Sequence, residues 1–223
     1  MSARPLALLS WSARAYKTHV RLLAGYAAWL LLPYAAFVLV DLLPASPTTV
    51  ALGFAIVLAN LVLFLWITAF LLLAAKRIFE KQTIDTTTLA RHSLRVLAPL
   101  AWVAILTLLV TSGGFLLLII PGILFSIWLW FAGCATVLDG KRGLEALSHS
   151  RHLYRGRFFK TGWSAFLGPG ILLLAIFLAI VLAAATLSAL WLGMVQALLC
   201  AFVLPFVILY TVALYETLKK YES

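Results

Sequence analysis

Apolar residues in this chain run in long blocks, and the polar ones collect in the short gaps between them. Six blocks stand out, at 22–43, 49–75, 96–119, 121–138, 158–187 and 190–215. An apolar run of about 18 residues or more is long enough for a helix to cross hydrocarbon. Backbone in lipid must also satisfy its own hydrogen bonds, which a helix does within itself. The pattern predicts an all-α fold, a polytopic membrane bundle of six transmembrane helices, as one domain over residues 1–223.

The gaps define the ends of the spans. Asp41 and the turn-rich Pro44-Ala45-Ser46-Pro47-Thr48 separate the first two. The first block exceeds the apolar stretch of about 7 to 15 residues found in cleaved signal peptides, so it reads as a retained span. Between Val96 and Leu138 two breaks compete, Gly113-Gly114 and Pro121-Gly122. Proline has no backbone N–H and fits the first turn of a helix, which places the turn near Pro121. Asp139-Gly140-Lys141-Arg142 closes the fourth span, Pro169-Gly170 bends the fifth, and Ser188 marks the turn into the sixth.

Three of the gaps carry helical periodicity of their own. Over 5–20, Leu8, Trp11 and Ala15 share a face opposite Ser10, Arg14 and Lys17. Over 142–157 the stripe is Leu144, Leu147 and Tyr154, extended by Phe158, with Arg151 inside it and obliged to snorkel. Over 85–95, Asp85 and the threonines after it supply caps, with Leu89 and Val96 as a weaker stripe. Such basic amphipathic helices lie in the headgroup region. Their spelling recurs: Leu9-Ser10-Trp11-Ser12 precedes Tyr16-Lys17 as Leu147-Ser148-His149-Ser150 precedes Tyr154-Arg155, and the middle gap offers Arg91-His92-Ser93. Three units, each an interfacial helix followed by a hairpin, account for this as parallel repeats. Chance is the rival for so short a match.

Composition excludes a soluble fold: 65% of the residues are hydrophobic and 11% charged, against about a quarter charged in soluble domains. All 17 Lys and Arg residues fall in the N-terminal segment, the gaps after the second and fourth spans, or the C-terminal tail. Cations flanking spans are retained inside, so both termini are expected in the cytoplasm, with the chain in a bacterial or archaeal cell membrane. The net charge of +10 has the same origin. These cations border apolar spans and meet anionic lipid headgroups, which argues against nucleic acid as a partner.

Ile119-Ile120-Pro121-Gly122-Ile123, then Val137-Leu138-Asp139-Gly140, then Ala146-Leu147 with Ser150, Leu153, Gly156 and Phe158 resemble the glycerophosphoryl diester phosphodiesterase membrane domain family. Related prokaryotic multi-pass families of unknown function share the pattern. The resemblance implies a six-span architecture. Family members that carry the enzymatic label have a soluble phosphodiesterase domain beside the membrane region, and no such domain is present in these residues, so the activity does not transfer with it.

The chemistry of the residues points the same way. Phosphodiester hydrolysis needs clustered carboxylates with a metal, or paired histidines. The seven acidic residues, Asp41, Glu80, Asp85, Asp139, Glu145, Glu216 and Glu222, are scattered along the chain. His149 and His152 share a helix face and, with His92 or His19, form the one metal-ligand set worth weighing, although arginines around them oppose a cation. Cys134 and Cys200 lie in apolar blocks without CxxC spacing, so neither a zinc site nor a disulfide is expected. No cofactor, metal or catalytic group is expected.

A transporter would place polar groups at membrane depth, and Asn60, Thr107, Thr111 and Gln196 are the candidates, all uncharged. Alanine ladders at 51, 55 and 59 and at 175, 179 and 183 suit close helix packing. The reading that fits best is a non-catalytic module that interacts with lipid or with another membrane protein, a second copy included. A small-solute or lipid transporter and a membrane-embedded lipid-modifying enzyme are the alternatives. If there is a headgroup site, it is expected at Arg142, Arg151, Arg155, Arg157 and Lys160, where cations gather on one interfacial helix. Solvated anchoring explains the same cations.

Overall fold

The computed structural model describes residues 5–154, 170–184 and 189–220. Among the described residues every regular element is helical and no strand occurs. In chain order these are α1 (Pro5–Ala27), a 3-10 turn (Ala28–Leu30), α2 (Leu31–Asp41), α3 (Pro47–Phe79), α4 (Thr86–Arg95), α5 (Leu97–Leu117) and α6 (Ile119–Trp128). They continue with α7 (Ala132–Asp139), α8 (Leu144–Leu153), α9 (Ile171–Ala184) and α10 (Ala189–Lys219). Among the described residues five helical stretches are long and apolar enough to cross a membrane: α1 with α2, α3, α5, α6 with α7, and α10 from Met194. The span expected over 158–187 is described only from 170 to 184, where α9 has 14 residues.

The expected boundary between an N-terminal surface helix and the first span is a kink in α1, centred on His19 (φ −115°, ψ 19°). The 3-10 turn follows from Pro33, which has no N–H to offer the Trp29 carbonyl four residues earlier and whose ring crowds it. Ser46 starts α3. Its Oγ accepts from the Thr49 N–H at 3.2 Å and its own N–H donates to Thr49 Oγ1 at 2.8 Å, with Pro47 as the first helical residue.

The third and fourth spans turn at Leu118, a single extended residue (φ −166°, ψ 155°), three positions before Pro121. Pro121 still lies in the first turn of α6, where its missing N–H does no harm. Gly113-Gly114 is not a break. Gly114 instead lies against Gly122, and a Cβ there would stand 3.0 Å from the Gly122 Cα and 2.7 Å from the Phe125 ring. The alanine ladder expected to pack, at 51, 55 and 59, is exposed, as are Ala175 and Ala179; the close crossing uses glycine instead.

The fourth span is not continuous. Between Trp128 and Ala132 the helix opens, and Ser150 of α8 fills the gap by accepting from the Phe131 N–H at 3.1 Å and donating to the Trp128 carbonyl at 2.6 Å. A broken helix in a membrane needs such a partner for its freed backbone groups.

The amphipathic helices also differ from expectation in what they pack against. In α8 the buried residues are Ala146, Leu147, Ser150 and Leu153, with Tyr154 just beyond, while Leu144 of the expected apolar stripe is 71% exposed. That face turns toward α7 and α5, so α8 is bound to protein. On α1, Trp11 lies edge-on to Phe79 with ring centroids 5.3 Å apart, while Ser10, Arg14 and Lys17 are exposed as expected. The core is concentrated where the second half of α3, the second half of α10, α7 and α8 meet.

Candidate functional site at the basic end of the bundle

Three helices deliver charge to one end of the core. α3 brings Lys76 and Arg77 in its last turn, α7 ends on Asp139, and α10 ends with Tyr215, Glu216 and Lys219. Lys219 Nζ lies 2.6 Å from Asp139 Oδ1, and the Tyr215 hydroxyl donates to Oδ2 at 2.5 Å. His149 Nε2 of α8 is 3.8 Å from the same Oδ2, with its ring edge-on to Tyr215. Lys76 Nζ donates to the Leu138 carbonyl at 3.3 Å and stands 4.0 Å from Glu216 Oε1. The carboxylate side chains of Asp139 and Glu216 are only 10% and 12% exposed. Two lysines therefore balance two half-sequestered carboxylates, as burial of charge requires.

Beside this junction lies a cavity of about 500 Å³ between the end of α3, the following loop, α4 and the end of α7. Lys76, Arg77 and Glu80 line one side, Asp85 and His92 the other, and Leu138 part of the floor. The Arg77 guanidinium donates to Gln82 Oε1 at 2.5 Å across the mouth. The loop closes by a left-handed Lys81 (φ 56°), which lets the Gln82 N–H reach back to the Arg77 carbonyl at 2.9 Å. Asp85 caps α4, accepting from the Thr87 N–H at 3.1 Å and from the Thr88 hydroxyl. These bonds, the Thr88 hydroxyl above all, hold its carboxyl below the usual carboxylate range.

The three segments each bury a serine, with different bonding: Ser150 bridges Phe131 and Trp128, while Ser93 donates to the Ala90 carbonyl of its own helix. Ser12, Ser93 and Ser150 are all fully buried, and each short helix lies on a charged or basic helix end: α1 on α10, α4 on α3, α8 on α7. The residue before each serine meets a different fate. Trp11 packs on Phe79, His149 faces Asp139 and Tyr215, and His92 opens onto the cavity.

Of the expected headgroup residues, the structure separates the two it describes. Both are exposed: Arg142 precedes α8 in the turn before Gly143, and Arg151 lies in the last turn of α8. The Arg151 guanidinium stacks 4.7 Å over the Trp128 ring. Arg155, Arg157 and Lys160 lie outside the described residues. Among the described residues no three His, Cys, Asp or Glu side chains gather as a metal site; His19 Nδ1 lies 3.1 Å from the Ala15 carbonyl, away from the other histidines weighed with it. Of the polar groups at membrane depth, Asn60 and Gln196 are exposed, and Thr107 and Thr111 are half-buried.

Sequence reasoning missed the junction because it saw Asp139 and Glu216 only as acidic residues scattered along the chain. The signal available was that Lys76, Asp139 and Glu216 each follow directly on an apolar block. Comparison with protein-family models, with characterised proteins and with solved structures gives no match.

Proposed function

We propose that this chain is a non-catalytic membrane module of three repeated hairpins that seats a phospholipid headgroup at its basic, cytoplasmic end. The observation that carries this reading is the cavity between α3, α4 and α7. It opens where the cations gather, and Lys76, Arg77 and His92 line it together. A phosphate there meets several donors at once, which is how such groups are held. The buried serines support the repeat, because Ser12 and Ser150, which share a spelling, and Ser93 of the middle gap are all buried. A sixth span through 158–187 belongs to this reading, since it returns the tail to the side where Lys219 meets Asp139. The six-span layout is also what the resemblance to the phosphodiesterase-associated membrane domain implies.

Native mass spectrometry of the purified chain tests the seat. Phospholipid should stay bound to the parent and be lost from Arg77→Gln combined with His92→Gln, both exposed positions outside the packed junction. Unchanged retention would overturn the assignment. Reporter fusions after Ala45 and Ser188 should both report the outer side.

A further inference from the structure

We infer that the cavity between α3, α4 and α7 selects a zwitterionic headgroup whose cation is a primary ammonium, the phosphoethanolamine chemistry; this rests on the headgroup reading above. Three observations lead there.

The lining carries both signs. Lys76, Arg77 and His92 face the same space as Glu80, a carboxylate to which a phosphate alone has nothing to offer, and as Asp85, which Thr87 and Thr88 already hold. The α8 arginines, by contrast, supply cations alone. A ligand with a phosphate and an ammonium satisfies both sets.

The lining also chooses between ammonium types. Among the described residues it contains no Phe, Tyr or Trp. Quaternary ammonium groups have no N–H and are held by aromatic faces. A primary ammonium donates three hydrogen bonds, and the oxygens of Glu80 and Thr83 stand in the lining for it. Among the described residues neither of these side chains has a hydrogen-bond or ion-pair partner in the protein.

The third observation concerns the other two junctions. Where α1 and α8 dock, Trp11 and His149 are engaged by Phe79 and by Asp139 with Tyr215. At the α4 junction His92 is exposed and faces about 500 Å³ of open cavity. Among the described residues the middle junction has room for a ligand.

The test is lipid competition on the full chain. The protein is exchanged into an equimolar mixture of phosphatidylethanolamine, phosphatidylcholine and phosphatidylglycerol, and the retained lipid is counted by native mass spectrometry. Phosphatidylethanolamine should be enriched about tenfold over phosphatidylcholine, the worth of one charge-assisted hydrogen bond set. Glu80→Gln should bring the retained ratio of phosphatidylethanolamine to phosphatidylcholine close to one. Retention without preference for the primary amine, or a preference that Glu80→Gln leaves intact, would overturn the selectivity and leave the headgroup seat standing. Loss of all phospholipid from the parent would overturn both. Glycerophosphoethanolamine added free at millimolar concentration distinguishes the sources: displacement of the lipid supports recognition of the headgroup itself, and binding of the soluble compound with no lipid retained overturns the membrane reading.

Discussion

Phe54 and Phe70 lie on one helix, α3, about four turns apart, yet Phe54 is 65% exposed and Phe70 is fully buried. The contrast extends across the described helices. Toward the basic end, α3 buries Ile67, Leu71, Ala74 and Ala75, and α10 buries Leu209, Tyr210, Val212 and Leu214. Away from it, Val57, Leu61, Leu108, Leu116 and Ile120 are about half exposed or more. Lipid tails are as apolar as leucine, so in a bilayer an apolar side chain gains little by leaving lipid for protein. The polar groups gain most by finding one another, since an unpaired one in lipid is costly. The basic half is tightly packed because its charges and hydroxyls demand fixed partners, and the far half leaves solvation to the membrane.

The comparison is broken most directly at Asp139. Asp139→Asn removes the charge that Lys219 meets at 2.6 Å and weakens the acceptor for Tyr215. Lys219 can hydrate in part, so the expected cost is about 3 kcal/mol, less than a fully buried pair but well above a surface one. Thermal unfolding in detergent should show a greater loss for this variant than for Phe70→Ala or Gly140→Ala. A loss under about 1 kcal/mol would mean that the junction is held by packing alone.

Phe70→Ala against Phe54→Ala sharpens the same contrast with identical chemistry. Phe70 stacks on Tyr26 with centroids 3.8 Å apart, and its loss leaves a cavity among buried neighbours. About 2 kcal/mol is expected between the two variants, from lost dispersion and the aromatic pair. Equal costs would show that the exposed half is packed against something in the membrane.

Gly140→Ala is smaller. Gly140 ends α7 with φ 69°, a left-handed conformation that alanine adopts at a cost of about 1 kcal/mol. A Cβ there meets nothing within 4 Å, so the loss is backbone strain only. Reduced melting temperature with unchanged lipid retention is the expected result.

The helices were legible in the sequence for the reason the far half is loose: long apolar runs fix existence and approximate length, and lipid asks for little else. The Asp85 cap and the exposed face of Arg14 and Lys17 follow from local rules that hold whatever packs nearby. The break at Trp128 to Ala132 was not legible, because its cause is Ser150, which lies 22 residues from the Trp128 carbonyl it satisfies. The Asp139 to Lys219 pair spans 80 residues and was hidden in the same way. Periodicity placed Ser10, Arg14 and Lys17 on the exposed side of α1 but misplaced Leu144 and Ser150 on α8, because it could not distinguish a face bound to lipid from one bound to protein. Of the headgroup set expected around α8, Arg142 and Arg151 are exposed, and Arg155, Arg157 and Lys160 lie outside the described residues.

The weakest expected effect contrasts the two ends through their caps. Asp85 starts α4 at the rim of the cavity, and Ser46 starts α3 at the far end. The Asp85 carboxyl is held below its ordinary value by the Thr88 hydroxyl and the Thr87 N–H. A carboxyl with a lowered folded value stabilises the fold fully above its unfolded value, and that contribution is lost as pH falls through the lowered one. The Thr87 and Thr88 amide signals should therefore shift as the solution is acidified below about pH 4, where carboxyls take up protons. Ser46 has no titrating group, so the Thr49 amide, held by Ser46 Oγ at 3.2 Å, should stay constant over the same range. In Asp85→Asn the acceptor persists without the proton equilibrium, and the Thr87 signal should flatten to match Thr49. If it still titrates, a different group governs the rim, with Glu80 across the cavity the first to substitute.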